Sequence, residues 1–363
     1  MAPTVPSRPA CQKHSSSLHR PSVNCRISHD IGICSHAQRD FICLCRCSLT
    51  AADCEALAQM LSGGSPLRVL NLSGTYMEDQ GLIHLSSALE NCRLLEIDLS
   101  SCSLTMASMP ALSSALRSGF SELRKLNLSR NTVMDDGIEL ISQVLKKGCL
   151  NTLNMSSCEL TGSCCSSLAA ALQSETCCLT ELDLSINDLG QSGAMQICEA
   201  LKAPTCTREK LEMNRCELTE EVFGALGSIL VSAMSKLVSL SVAVNDVGDA
   251  GVKHIWEALR HKHCKLQHLD LEMVSLTDAC VEELCESVAS CSTSSTLILK
   301  NNGMTDSSVP RLVKLMQDCP LTTELNLKYN DFSEDVFELM DKYCLLDKHI
   351  SPASLGSPAY LSA

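Results

Sequence analysis

Long apolar runs are missing from this sequence. No stretch reaches 18 apolar residues, so no segment reads as a helix that crosses a membrane. A secretory leader is missing as well: Met1 to Arg20 carries prolines and serines with no apolar stretch among them. The phosphate-cradling pattern G-x-x-x-x-G-K-[ST] is absent, as is the strained-serine pattern G-x-S-x-G, and no motif fixes a histidine beside a carboxylate. Positive charge is also in short supply. The chain has 29 lysines and arginines against 42 acidic residues, a net charge of -13. Five basic and two acidic residues fall before position 41, leaving 24 against 40 for the rest. A body of that sign repels a phosphate backbone, which argues against nucleic acid as a ligand and favours the approach of basic partners. With leader and span both absent, the expected location is cytoplasmic.

What is abundant is cysteine, with 24 residues. In a cytoplasmic chain most of these thiols stay reduced. Three clusters stand out. Cys43, Cys45 and Cys47 alternate like a thiolate trap, but the register described below puts the first two on exposed strand positions and the third in a turn. Cys164-Cys165 and Cys177-Cys178 read as small apolar substitutes in or after a helix. His261-x-His263-Cys264 reads as a solvated loop. None repeats the ligand spacing of a closed zinc site, so no metal and no cofactor are expected.

The apolar residues repeat as L-x-x-L-x-L-x-x-(N/C)-x-L. Units begin at Leu67, Leu94, Leu123, Leu150, Leu179, Arg208, Leu237, Leu266, Ser294 and Thr322, in steps of 27 to 29 residues. A worn unit from Arg39 supplies Ile42, Leu44, Cys47 and Leu49 in phase. In the unit from Leu123, the residues Leu123, Leu126 and Leu128 alternate with polar ones, the pattern of a short strand with one buried face. Asp136-Gly137 then leads into Ile138, Ile141, Val144 and Leu145, an apolar stripe at helical spacing. Trp256 falls on the same stripe of a later unit and reads as packing. The sequons at Asn71, Asn127 and Asn154 share one strand position, a signature of repetition rather than of glycosylation.

Strands stack about 4.8 Å apart, whereas a helix needs about 10 Å of width. A stack of eleven units therefore bends, with strands inside and helices outside. The expected fold is an α/β solenoid, a horseshoe with parallel strands on the concave face and helices on the convex face. The residue after each strand alternates in chemistry, through Cys102, Asn131, Cys158, Asn187, Cys216 and Asn245, and ends on Asn302 and Asn330. The alternation predicts two kinds of turn, one held by an amide and one by a buried thiol.

These spacings resemble the ribonuclease-inhibitor-like class of leucine-rich repeats. The stretches L-D-L-S-I-N-D-L-G from Leu182 to Gly190 and L-N-L-S-R-N from Leu126 to Asn131 are similar to the carboxy-terminal repeats of NACHT- and leucine-rich-repeat proteins of innate immunity. The resemblance covers residues 39–345. It implies a non-catalytic, protein-binding module, the sensing or regulatory repeats of such a receptor without its nucleotide-binding domain, which would lie upstream. A ribonuclease-inhibitor-like inhibitor and a small-GTPase activator are the alternatives from the same class; the activator would need a positioning side chain at the rim, with Arg130 and Arg215 as formal candidates. Residues 1–38 hold no repeat phase and are expected to be a poorly ordered lead-in, and 346–363 a loose tail. Val336, Leu339, Met340 and Tyr343 are expected to close the stack as a last helix.

A concave arc of about 48 Å suits a protein partner better than a small molecule. The register points Glu96, Asp98, Lys125, Asp183, Glu212, Asp270, Glu272, Lys300 and Lys328 out of that face, with Asn127, Asn214, Ile298 and Asn326 between them. The run from Asp183 to Glu272 is acidic, broken by Ser241. The carboxy-terminal end is more basic and aromatic, and Tyr329 is the best single anchor.

Overall fold

In the computed structural model, the residues described are 40–342 except 91, 119–121, 204–205, 291–294 and 319–322. Eleven strands form one parallel sheet in chain order: β1 Phe41–Cys43, β2 Val69–Asn71, β3 Glu96–Asp98, β4 Lys125–Asn127, β5 Thr152–Asn154, β6 Glu181–Asp183, β7 Lys210–Glu212, β8 Ser239–Ser241, β9 His268–Asp270, β10 Ser295–Ile298 and β11 Thr323–Asn326. Each strand pairs with the equivalent residues of the next; Leu126 lies opposite Leu153, for instance, and Leu153 opposite Leu182. The worn unit is in phase too, since Ile42 lies opposite Leu70. A helix follows every strand, so sequential units stack as the repeat spacing requires.

The core is one continuous layer between strands and helices. Leu123, Leu126 and Leu128 enter it from the strand side, and Ile138, Ile141, Val144 and Leu145 from the helix Met134–Leu145. That helix begins two residues before the Asp136 entry read from the sequence, and its first turn carries Asp135 and Asp136, where carboxylates favour the positive end of the helix dipole. Trp256 is fully buried in the helix Gly248–Leu259, as its stripe position implied. One start of a unit departs from the apolar rule. Arg208 occupies a leucine position and is buried, its guanidinium donating to the Leu172 carbonyl and the Cys177 sulfur, both at 3.1 Å.

The turns are of two kinds, but they are coupled rather than independent. The Asn131 amide donates to the Leu128 carbonyl of its own unit and the Leu99 carbonyl of the unit before, at 2.8 and 2.9 Å. Its Oδ1 accepts the backbone N–H of Cys102 and of Leu104, both at 3.0 Å. One asparagine therefore also closes the cysteine turn that precedes it. The Cys102 thiol reaches only backward, donating to the Leu72 carbonyl at 3.1 Å. Asn187 and Asn245 repeat the arrangement on Cys158 and Cys216, and Asn302 does so on Val274. Burial pushes the thiols of Cys158 and Cys216 up to about 12 and that of Cys102 upward, so all three sit as neutral thiols.

A second stitch runs along the other end of the turns. Asp79, Asp135, Asp249, Asp278 and Asp306 each accept the backbone N–H and the hydroxyl of a Thr or Ser in the next unit: Thr105, Thr161, Thr277, Thr305 and Ser333, at 2.5 to 2.9 Å. Burial works to raise the Asp278 carboxyl, but the hydroxyls of Ser307, Ser308 and Thr305 outweigh it and hold the group at about 2.

Two packing expectations are corrected. Leu339, on the helix Glu334–Lys342, is exposed, and Met340 is the residue that buries itself there. Cys178 is exposed, unlike Cys164, Cys165 and Cys177; of the two in the loop beyond the helix, Cys177 turns inward to meet the Arg208 guanidinium. The lead-in 1–38, the tail 346–363, Tyr343 and the unit starts at Arg39, Ser294 and Thr322 lie outside the described residues. No helix among the described residues is long and apolar enough to cross a membrane.

Candidate functional site

Two adjacent rows of side chains offer themselves to a partner: the outward positions of the strands, and the residue that leaves each strand.

On the strands, the fold aligns partly exposed side chains at two positions, with Asp98, Asp183, Glu212 and Asp270 at one and Glu96 and the more exposed Lys125 two residues earlier. Several are already engaged. Asp98, Asp183 and Asp270 each accept the N–H two residues on, from Ser100, Ser185 and Glu272, at 2.9 to 3.0 Å. Asn71, Asn127 and Asn154 make the same turn with Ser73, Ser129 and Ser156. This position is therefore partly a backbone cap, which explains why only Asp and Asn recur in it.

The acidic run is less naked than its spacing suggested. Lys210 pairs with Glu212 at 2.6 Å and Lys300 with Glu272 at 2.7 Å, as Lys125 does with Glu96 at 2.9 Å. The Lys300 pairing also corrects the expectation of a basic carboxy-terminal end, because its charge is answered locally. Among the described residues Glu181, Asp183 and Asp270 form no salt bridge, although the Lys210 charge also reaches Glu181 and Asp183 and that of Lys300 reaches Asp270. Burial, and the neighbouring Glu212, raise the Asp183 carboxyl, while burial and Glu272 raise that of Asp270. Both effects arise from the sheet crowding like charges onto a half-buried face. Ser241 between them donates to Asn214 Oδ1 at 2.7 Å. Sequence reasoning passed over Glu181, Lys210 and His268, although the same register locates them at the position of Glu96 and Lys125.

Asn214, Glu272, Lys300 and Lys328 lie just past the strand ends, beside the second row. That row is Arg46, Gly74, Ser101, Arg130, Ser157, Ile186, Arg215, Val244, Met273, Asn301 and Tyr329, all with φ between 51° and 69°. The cause is the ladder itself. The N–H of Ile186 still bonds to the Asn214 carbonyl at 2.7 Å, and that of Val244 to the Glu272 carbonyl at 2.8 Å, while the chain turns inward at once to bury the next residue. Only the left-handed conformation meets both demands. Tyr329 belongs to this row rather than to the sheet face. Arg130 and Arg215 belong to it as well. Ser101, Arg130, Ser157 and Ile186 of this row line a shallow groove together with Tyr76, two residues past Gly74.

Among the described residues, no group of three or more His, Cys, Asp or Glu is placed to hold a metal. Cys43, at the end of the edge strand, and Cys45, which lies in the turn beyond it rather than on the strand as expected, approach at 3.1 Å, both exposed. His261 and His263 meet edge to face in their loop, with ring centres 5.0 Å apart.

The eleven-stranded parallel stack with its flanking helices and asparagine-closed turns defines a leucine-rich-repeat protein, an α/β solenoid of the horseshoe type. The family described as "Leucine Rich repeat" matches residues 122–142 and 176–198. The chain is 33% identical over 245 residues to NACHT, LRR and PYD domains-containing protein 14 of Mus musculus, covering 66% of this chain and 24% of that protein. It is 36% identical over 233 residues to NACHT, LRR and PYD domains-containing protein 13 of Homo sapiens, covering 63% and 22%. It is 33% identical over 260 residues to the ribonuclease inhibitor of Mus musculus, covering 70% and 56%. The chain thus spans about a quarter of the length of the NACHT relatives it matches.

Proposed function

We propose that this chain is a non-catalytic protein-binding module, working as the sensing or regulatory repeats of a NACHT-type innate-immunity protein in the cytoplasm. The observation that carries the reading is the open array of polar side chains on the concave strands, with the acids Glu181, Asp183 and Asp270 at its centre in excess over Lys210 and Lys300, which are paired with Glu212 and Glu272. An arc of about 48 Å accommodates the footprint of a protein rather than of a small molecule. The acidic centre favours partners with a basic surface. Similarity to NACHT, LRR and PYD domains-containing proteins that are nearly three times longer supports the receptor context, in which a nucleotide-binding domain would be a neighbour of these repeats. The reducing compartment is supported by the eighteen free cysteines among the described residues, three of them filling turns as neutral thiols.

The mouse ribonuclease inhibitor, matched over more than half its length, favours a second reading of the same face as an inhibitor of a basic enzyme. Affinity capture with the wild-type chain and with Asp183→Lys, Glu212→Lys and Asp270→Lys tests the common element. Partners are expected to be lost from at least one variant; identical partners for all three would overturn the acidic-face reading.

A further inference from the structure

Eleven residues leave their strands in the left-handed conformation, and the fold is indifferent to most of their side chains. Gly74, Ser101, Arg130, Ser157 and Asn301 all serve. In the second half of the stack the choice changes to Ile186, Val244, Met273 and Tyr329, which are 46%, 41%, 48% and 51% exposed. A left-handed φ is unfavourable for an L-residue, and branched side chains such as Ile186 and Val244 are the least suited to it. Folding alone favours glycine or asparagine at these positions, and exposure to water gives an apolar side chain no return. Strain kept where the fold does not need it points to a use at the surface.

We propose that the ridge of Ile186, Val244, Met273 and Tyr329 is a docking edge for a basic amphipathic helix of a partner protein. The proposal rests on the protein-binding reading and narrows it to one edge and one partner chemistry. Continuity comes from the ladder: the N–H groups of Ile186, Arg215, Val244, Met273 and Asn301 all bond to the next unit, which holds these residues at the strand spacing. Six positions from Ile186 to Tyr329 therefore span about 24 Å, the length of a helix of about 16 residues. Arg215 and Asn301 interrupt the apolar side chains, and Asn301 is held down by Glu272 at 2.6 Å.

Charge selects the partner. Beside the ridge lie Glu181, Asp183, Glu212, Asp270 and Glu272, whereas Lys210 and Lys300 are spent on Glu212 and Glu272. A helix laying apolar residues on the ridge would bring its flanking lysines or arginines over Glu181, Asp183 and Asp270. Cations arriving there would offset the burial and the neighbouring acids that raise the Asp183 and Asp270 carboxyls.

A fluorescent peptide of about 16 residues tests this, with leucines at helical spacing and lysines flanking them, beside a counterpart in which every lysine is glutamate. Anisotropy titration of the full chain should show binding of the lysine peptide only. The combined variant Ile186→Asn, Val244→Asn, Met273→Asn should weaken it by about tenfold or more. Asparagine tolerates the left-handed conformation, and a denaturation curve no weaker than wild type certifies the fold. Failure of the lysine peptide to bind, equal binding of both peptides, or equal affinity for the ridge variant overturns the proposal. Loss in Asp183→Lys and Asp270→Lys with no loss in the ridge variant would overturn the ridge and leave the acidic-face reading standing. Self-association of the wild-type chain in sedimentation, abolished in the ridge variant, would assign the ridge to a second copy instead.

Discussion

Ile186 and Asn187 are consecutive in one turn and answer to different constraints. Asn187 is buried and makes five hydrogen bonds, accepting from Cys158 and Leu160 and donating to the carbonyls of Met155, Leu184 and Ser185. Ile186 faces solvent, in a backbone conformation that its own branched side chain opposes. The inner row alternates cysteine with asparagine from Cys102 to Asn245, because one amide closes its own turn and the turn before it. The outer row has no apolar side chain up to Ser157, and from Ile186 onward it turns apolar except at Arg215 and Asn301. Regularity in a repeat marks what the fold requires, and the residues that break it without a folding benefit mark what a partner reads.

The inner row should break first and hardest. Asn187→Ala leaves two buried N–H groups and their carbonyl counterparts unpaired, and unsatisfied groups cost about 1–3 kcal/mol each. A loss of about 3 kcal/mol or more in chemical denaturation is expected, and Asn187→Asp should not restore it, because a carboxylate cannot donate to Met155 and Leu184.

Cysteine at the equivalent position is a lighter fixture. The Cys216 thiol donates to the Leu184 carbonyl at 3.2 Å and fills a small space. Cys216→Ala removes one weak bond and one atom, so a loss of about 1–1.5 kcal/mol is expected on the same measurement. Maleimide should label Cys43, Cys45 and Cys178 in the native chain at neutral pH and leave Cys158 and Cys216 unlabelled until denaturant is added, which mass mapping of the labelled chain would show.

The smallest effect belongs to the strand face. Asp183→Asn keeps the bond from Ser185 N–H, as Asn127 and Asn154 do in their own units, and removes the repulsion from Glu212. A carboxyl raised in the folded state loses stability as pH rises from its unfolded value through the raised one. The variant should therefore match wild type near pH 3 and exceed it at pH 7, by a few tenths of a kcal/mol to about 1. Denaturation midpoints at the two pH values check both the size and the sign.

The sequence reveals most of what repetition enforces. Leucine spacing locates the strands, and the alternation from Cys102 to Asn245 announces two turns. The coupling between those turns stays hidden because it joins residues 27 to 29 positions apart, as Asn131 Oδ1 joins Cys102 and Leu104. The Asp135–Thr161 and Asp278–Thr305 stitches had a signal, an acid at a helix start and a threonine in the following unit, that was not pursued. The site was legible as a set of outward positions but not in its charge balance, because Lys210 and Lys300 find Glu212 and Glu272 through geometry that spacing does not show. Nothing in the sequence marked the left-handed row, since the need for positive φ at Ile186 and Val244 appears only once the ladder and the buried neighbour are seen together.

The division of labour between the rows is tested most directly within a single turn, by equilibrium denaturation of Val244→Asn and Asn245→Ala. Val244 has φ 57° and stands half exposed, whereas Asn245 is buried and bonds to Cys216, Leu218, Met213 and Val242. Val244→Asn should hold stability or raise it by up to about 1 kcal/mol as strain is relieved, while Asn245→Ala should lower it by about 3 kcal/mol. A loss from Val244→Asn comparable to that from Asn245→Ala would contradict the account, because the outer side chain would then be serving the fold and not a partner.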